Sequence, residues 1–208
     1  MNQFNAKIKT SYDNIADTWF EKREWYIEQP SVDELIAHLH PGATILDVGC
    51  GSGKPIAAYL IEKGFDVYGV DISPKLLKYA ERIIPKDKLF LADICNFKTD
   101  THFDAIVCWF ALFHIHASKH LEMLKRFHSF LKPKGILLIT FADTSHAVDM
   151  THTVIDEYTI ESDMFGERFY HSGHPTNINC DLVKQAEFEI LMDKIDQPGN
   201  QVILAKKK

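Results

Sequence analysis

The residues best able to do chemistry sit at the ends of short apolar runs. Ile45-Leu46-Asp47-Val48 leads directly into Gly49-Cys50-Gly51-Ser52-Gly53-Lys54-Pro55. Glycines between a strand and a helix let the backbone take turns closed to other residues and let a ligand approach closely, at the strand ends where open sheets bind cofactors. The next run, Val67-Tyr68-Gly69-Val70, ends in Asp71. A carboxylate at that place can accept hydrogen bonds from both hydroxyls of a ribose, and it repels a ribose carrying a phosphate. A third acid, Asp93, follows Leu91-Ala92 and is backed by Ile94. His114 lies past a fourth apolar run, and an imidazole that titrates near neutrality suits proton removal from a hydroxyl, acid or amine.

Short β-rich runs alternating with helical patterns must position these residues, which predicts an α/β fold: a parallel sheet with helices on both faces. Strands are expected over Thr44 to Val48, Asp66 to Val70, Lys88 to Ala92, Phe103 to Cys108 and Ile136 to Phe141. A helix from about Lys54 to Lys63 ends at Gly64, and Ser73 caps the next, with Pro74 at its first position. Ser118 to Leu131 reads as a helix stopped by Pro133 and Gly135, and Asn179 to Ala186 as a shorter one. Glu189 to Ile195 and Gln201 to Ala205 flank a Gln-Pro-Gly-Asn turn and are expected to pair antiparallel. Two helices precede Pro41, and Thr144 to Glu167 is expected to be a loop with one short helix.

Spacing separates the families that use glycine turns. A P-loop counted back from Gly53-Lys54 puts Val48 at its first glycine, and Pro55 replaces the Mg²⁺-binding hydroxyl. A dinucleotide fingerprint puts Lys54 at its third glycine. The remaining pattern, Asp47-x-Gly49-x-Gly51-x-Gly53, resembles motif I of the class I S-adenosylmethionine-dependent methyltransferases, compact small-molecule type. Phe103 to Trp109 resembles that family's fourth-strand motif, Leu131 to Gly135 its loop before strand five, and Ser11-Tyr12-Asp13-Asn14-Ile15-Ala16 its N-terminal lid. The resemblance runs from about Ser11 to Lys206. It implies a doubly wound, mostly parallel sheet of order 3-2-1-4-5-7-6 with strand seven antiparallel, in a single domain over 1–208, with 1–40 a helical lid on a Rossmann-like core at 41–208.

The same resemblance implies S-adenosyl-L-methionine as cofactor, with S-adenosyl-L-homocysteine as product. It assigns Trp19, Asp47, Gly49, Cys50, Gly51, Gly53, Asp71, Ile72, Asp93, Ile94 and Trp109 to the cofactor, with Asp93 on the adenine amine and Ile94 against the ring. Cys50 needs only a small side chain. His114 is the candidate base, the alternative being a loop histidine bonded to backbone. Tyr12, Tyr170 and His171 are candidate substrate contacts; Tyr170 and His171 read equally as a strand-edge pair. Tyr12, Trp19 and Arg23 share one helical face, either covering the methionine end with Arg23 near its carboxylate or forming a packing stripe with a solvated arginine.

Cys108-Trp109-Phe110-Ala111 stands where nucleic-acid amino-methyltransferases carry a Pro-Pro box, and the net charge is −6, so no nucleic-acid substrate is expected. No apolar run approaches the ~20 residues of a membrane span. Four cysteines without paired spacing, and no secretory signal, suggest a reducing, cytoplasmic protein. His114, His116 and His120 are too loosely spaced for a metal to be expected. The expected protein, monomer or homodimer, methylates a small-molecule acceptor by in-line transfer. A non-catalytic cofactor-binding protein and an NAD-dependent oxidoreductase are the alternatives.

Overall fold

The computed structural model describes residues 3–22, 30–142, 152–196 and 200–208. Its main sheet has seven strands: β1 (Thr44–Val48), β2 (Asp66–Asp71), β3 (Leu89–Leu91), β4 (Phe103–Cys108), β5 (Leu131–Phe141), β9 (Phe188–Ile195) and β10 (Gln201–Lys207). They lie in the order β3-β2-β1-β4-β5-β10-β9. The first five are parallel, and β10 runs antiparallel to both neighbours. This is the expected order, with the last two strands renumbered by an inserted second sheet.

Alternation of side chains along each strand builds two core layers. Leu46, Ile106 and Leu137 point to the face covered by α5 (His120–Phe130) and α6 (Thr176–Gln185), where Phe127 and Val183 are buried. Ile45, Ala105 and Leu138 point to the other face, against Leu35 of α2 (Pro30–Ile36), Leu60 of α3 (Ile56–Glu62) and Leu77 of α4 (Pro74–Ala80). Ser73 caps α4 as expected, its Oγ accepting from the Leu76 amide at 3.1 Å.

Two differences matter. Where a loop with a short helix was expected, residues 153–172 form an antiparallel sheet of β6 (Thr153–Asp156), β7 (Thr159–Met164) and β8 (Glu167–Ser172), in the order β6-β7-β8. Phe165 and Gly166 turn the β7–β8 hairpin with φ of +54° and +83°, the left-handed geometry such two-residue turns require. Polar cross-strand pairs hide this sheet from a hydrophobic pattern: Thr159 lies opposite Ser172, and Arg168 pairs with Glu161 at 2.9 Å. Residues 143–151, and 197–199 of the late turn, lie outside the described residues. β5 also begins at Leu131, ahead of the expected Ile136.

Helix α1 (Gln3–Lys22) crosses the carboxyl ends of the strands. Asp13 Oδ1 accepts from Ser73 Oγ at 2.6 Å, Asp17 accepts from Tyr79 at 2.5 Å, and Ser11 Oγ donates to the Arg168 carbonyl at 3.0 Å. These bonds fix the helix to α4 on one side and to the inserted sheet on the other. Among the described residues no helix is long and apolar enough to cross a membrane.

Candidate functional site

A cavity of about 1010 Å³, counting its mouth, opens between α1 and the tips of β1, β2, β3 and β4. Its floor is the glycine turn after β1. Gly49 has φ +70°, and a Cβ built there would stand 2.5 Å from the Ala111 Cβ, so only glycine fits. Gly51, at φ +56°, has only Trp19 Nε1 and Leu76 Cδ1 within 4 Å of such a Cβ, both at ordinary contact distance, so its bare backbone cradles the cavity. Cys50 lines the same turn with a thiol that burial pushes well up, which leaves it a small packing group. Gly53 is turned away, against Ile83 and Ala80.

Three carboxylates converge here. Asp71 accepts from the Gly51 amide and the Ser73 amide, both at 2.8 Å, one on each oxygen. Burial pushes its carboxyl up to about 6 even against these bonds. Asp47, 3% exposed, is pushed up to about 7, first by burial and then by the charge of Asp71. Asp93 accepts from the Cys95 amide at 3.0 Å and from Asn5 Nδ2 at 2.7 Å. A carboxylate has about four lone-pair sites, so each acid keeps acceptor capacity for a ligand. Val48, Val70, Ile72, Ala92, Ile94 and Trp109 supply flat apolar wall between the acids.

The roof is one face of α1. Asn5, Ile8, Tyr12 and Trp19 recur at helical spacing and all line the cavity. Arg23 lies outside the described residues. Beyond β4, Phe110 takes φ +53° with its amide bonded to Thr140 Oγ1 at 2.7 Å, and this turn brings Leu112 and His114 to the cavity. His114 Nε2 is 2.8 Å from the Tyr12 hydroxyl and Nδ1 is 2.8 Å from the Tyr170 carbonyl. Burial foremost, with His171 beside it, holds the His114 ring down to about 3, so it is neutral at physiological pH.

Tyr170 and His171 do not line the cavity. Because β8 is a strand, they point to its opposite faces: the Tyr170 ring packs on Phe4 at 4.7 Å, and His171 packs edge-on against Phe113 at 5.2 Å. His116 instead pairs with Asp156 at 3.1 Å, and His120 is buried with Nε2 2.9 Å from the Ile115 carbonyl. Asn5 and Ile8 escaped the sequence reading, although Asn5 precedes Tyr12 by the same seven-residue step that separates Tyr12 from Trp19. Among the described lining residues Lys54 is the sole lysine or arginine. An acid-rich, apolar-walled cleft with a bare glycine cradle fits a nucleoside free of phosphate and carrying positive charge.

The chain matches a family model described as "Methyltransferase domain" over residues 21–195. It is 37% identical over 110 residues to a candidate methyltransferase of Bacillus subtilis, covering 49% of this chain and 43% of that one. It is 27% identical over 139 residues to dTDP-3-amino-3,6-dideoxy-alpha-D-glucopyranose N,N-dimethyltransferase of Streptomyces fradiae, covering 65% of this chain and 53% of that one. The chain thus spans about half the length of these curated relatives. Its fold is shared with Burkholderia thailandensis 1,6-didemethyltoxoflavin-N1-methyltransferase, solved with bound 1,6-didemethyltoxoflavin and S-adenosylhomocysteine: TM-score 0.69 at 21% identity, covering 98% of this chain and 87% of that one. A family match across most of the chain, on a sheet of this order with its glycine turn at β1, places the protein in the methyltransferase-domain family.

Proposed function

We propose that this chain binds S-adenosylmethionine and transfers its methyl group to a small molecule. The observation that carries the reading is the convergence of Asp47, Asp71 and Asp93, from three neighbouring strand tips, on one cavity floored by Gly49 and Gly51. Asp71 takes the ribose hydroxyls, Asp93 the adenine amine, and Ile72, Ile94 and Trp109 the adenine faces. Asp47, Cys50 and Trp19 bound the methionine end, and Gly53 closes the turn from behind. Bound there, the cofactor supplies a methyl already activated on a sulfonium, so the protein's work is alignment and exclusion of water. Tyr12 and His114 form the polar pair at the acceptor end; Tyr170 contributes through its carbonyl, and His171 packs behind.

The net charge of −6 supports a small acceptor over a nucleic acid. We place the protein in the cytoplasm, as a monomer or homodimer, in a single domain whose lid is α1; the lid expected over 1–40 stops short of α2, because Val32 and Leu35 pack into the core of the sheet. Calorimetry and thermal unfolding with S-adenosylhomocysteine against NAD test the reading. At 100 times its dissociation constant the product cofactor adds about 2.7 kcal/mol, which raises the melting temperature by about 5–10 °C for a chain of this size. No response to S-adenosylhomocysteine, or a larger one to NAD, refutes it.

A further inference from the structure

The walls at the acceptor end of the cavity limit what can be methylated there. With Asp71 and Asp93 at the tips of β2 and β3, a nucleoside lies toward that edge, and its methionine end falls across β1 toward β4. The space beyond is bounded by Ile8 and Tyr12 of α1 and by Phe110, Leu112 and His114 of the turn after β4. Among the described lining residues, those from α1 and from that turn include no acid, lysine or arginine. His114 is poorly placed to act as a base. Its Nδ1 faces the Tyr170 carbonyl, which can only accept, so Nδ1 carries the ring proton and Nε2 meets the Tyr12 hydroxyl. Phe113, Phe169 and His171 pack around the ring, and burial opposes its protonation.

An acceptor held by these walls must bring a lone pair that is already free at neutral pH. An alcohol does not, because its proton needs a base to receive it. An aliphatic amine arrives as an ammonium, and the carboxylates on the floor tighten its hold on the proton. A thiolate or a carboxylate brings an anion toward those same acids, with Lys54 the sole lysine or arginine among the described lining residues. We infer that the acceptor is a small, uncharged aromatic heterocycle, methylated at a ring nitrogen whose in-plane lone pair carries no proton. The inference rests on the function proposed above. The nitrogen lone pair forms the new N–CH3 bond as the S–CH3 bond breaks, and the electrons of the broken bond stay on sulfur. Positive charge passes from the sulfonium to the ring, no proton moves, and the net charge of the filled cavity is unchanged. The acids that suit a sulfonium suit the product cation. Phe110, Leu112 and Ile8 hold the flat ring by apolar contact, an aromatic pair adding about 0.5–1.5 kcal/mol beyond the area it buries.

The experiment incubates the full chain and S-adenosylmethionine with isoquinoline and the less basic phthalazine, and in parallel with benzyl alcohol, benzylamine, thiophenol and benzoate. Mass spectrometry follows S-adenosylhomocysteine and the methylated product, with the rate in the absence of protein subtracted. The two heterocycles should be methylated on nitrogen at least about tenfold faster than any of the other four, a difference of about 1.4 kcal/mol in barrier. The rate should fall at acid pH only as the heterocycle itself takes a proton, so the acid limb should lie lower for phthalazine than for isoquinoline. A limb fixed at one pH for both reports a base on the protein and overturns the inference. Equal or faster turnover of the alcohol, amine, thiol or carboxylate overturns it too, as does no turnover of either heterocycle. If calorimetry shows no binding of S-adenosylhomocysteine, the proposed function itself fails; if the cofactor binds and the heterocycles lose, only this inference does.

Discussion

Asp47→Asn should make the protein more stable and a poorer binder, and the size of the gain should depend on pH. The carboxyl is held up to about 7 from an ordinary 3.8, about three decades in proton affinity, each equivalent to about 1.4 kcal/mol. The ionised form thus costs the fold about 4 kcal/mol above pH 7, an upper bound because Asp71 supplies part of it. The folded state holds the proton more tightly than the unfolded chain does. Its stabilising contribution is therefore complete below pH 3.8 and is lost as pH rises through 7. An isosteric amide carries no charge and escapes this loss. From pH 5 to pH 8 the advantage of Asp47→Asn over wild type should grow by about 2–3 kcal/mol, from the two decades between pH 5 and 7. Urea unfolding without cofactor, fitted for midpoint and slope at both pH values, measures it. An advantage that stays flat with pH, or a net loss at pH 8, would show that Asp47 is not a strained carboxylate and would sink the electrostatic account of the floor.

Two further perturbations separate binding from folding. Asp71→Ala should weaken S-adenosylhomocysteine more than tenfold by calorimetry, and unchanged affinity would remove Asp71 from the ribose role. Gly49→Ala and Gly51→Ala form a contrasting pair. The first puts a Cβ 2.5 Å from Ala111 at φ +70°, so unfolding measurements should show a loss of about 2–4 kcal/mol. The second meets no such contact, so it should cost about 1 kcal/mol of stability and chiefly impair cofactor binding; equal stability losses would refute the assignment of Gly51 to the cradle.

The doubly wound sheet and the floor of the site were legible in the sequence. Thr44–Val48 and Phe103–Cys108 are short, mostly apolar runs, broken only by Thr44, Asp47 and Asp104, as strands buried on both faces are. Asp47, Gly49, Gly51, Asp71 and Asp93 stand at the ends of such runs, and a strand's end in a parallel sheet is an address as well as a conformation. The serine cap and proline start of α4 were equally local.

Tertiary structure alone decided the rest. β6, β7 and β8 are held by Thr159 against Ser172, by Arg168 against Glu161 and by the packing of Phe169 on α1, none of which leaves a periodic apolar trace. Tyr170 and His171 read either as substrate contacts or as a strand-edge pair; β8 makes them strand residues whose side chains do not line the cavity, and the Tyr170 carbonyl holds His114. The bonds from Tyr12 to His114 and from Asn5 to Asp93 join residues 102 and 88 positions apart. Capping, turn chemistry and periodicity act over a few residues and so are written in the sequence. The partner of a hydroxyl or an amide on α1 is set by where packing lays that helix across the strand tips, and no local pattern encodes it.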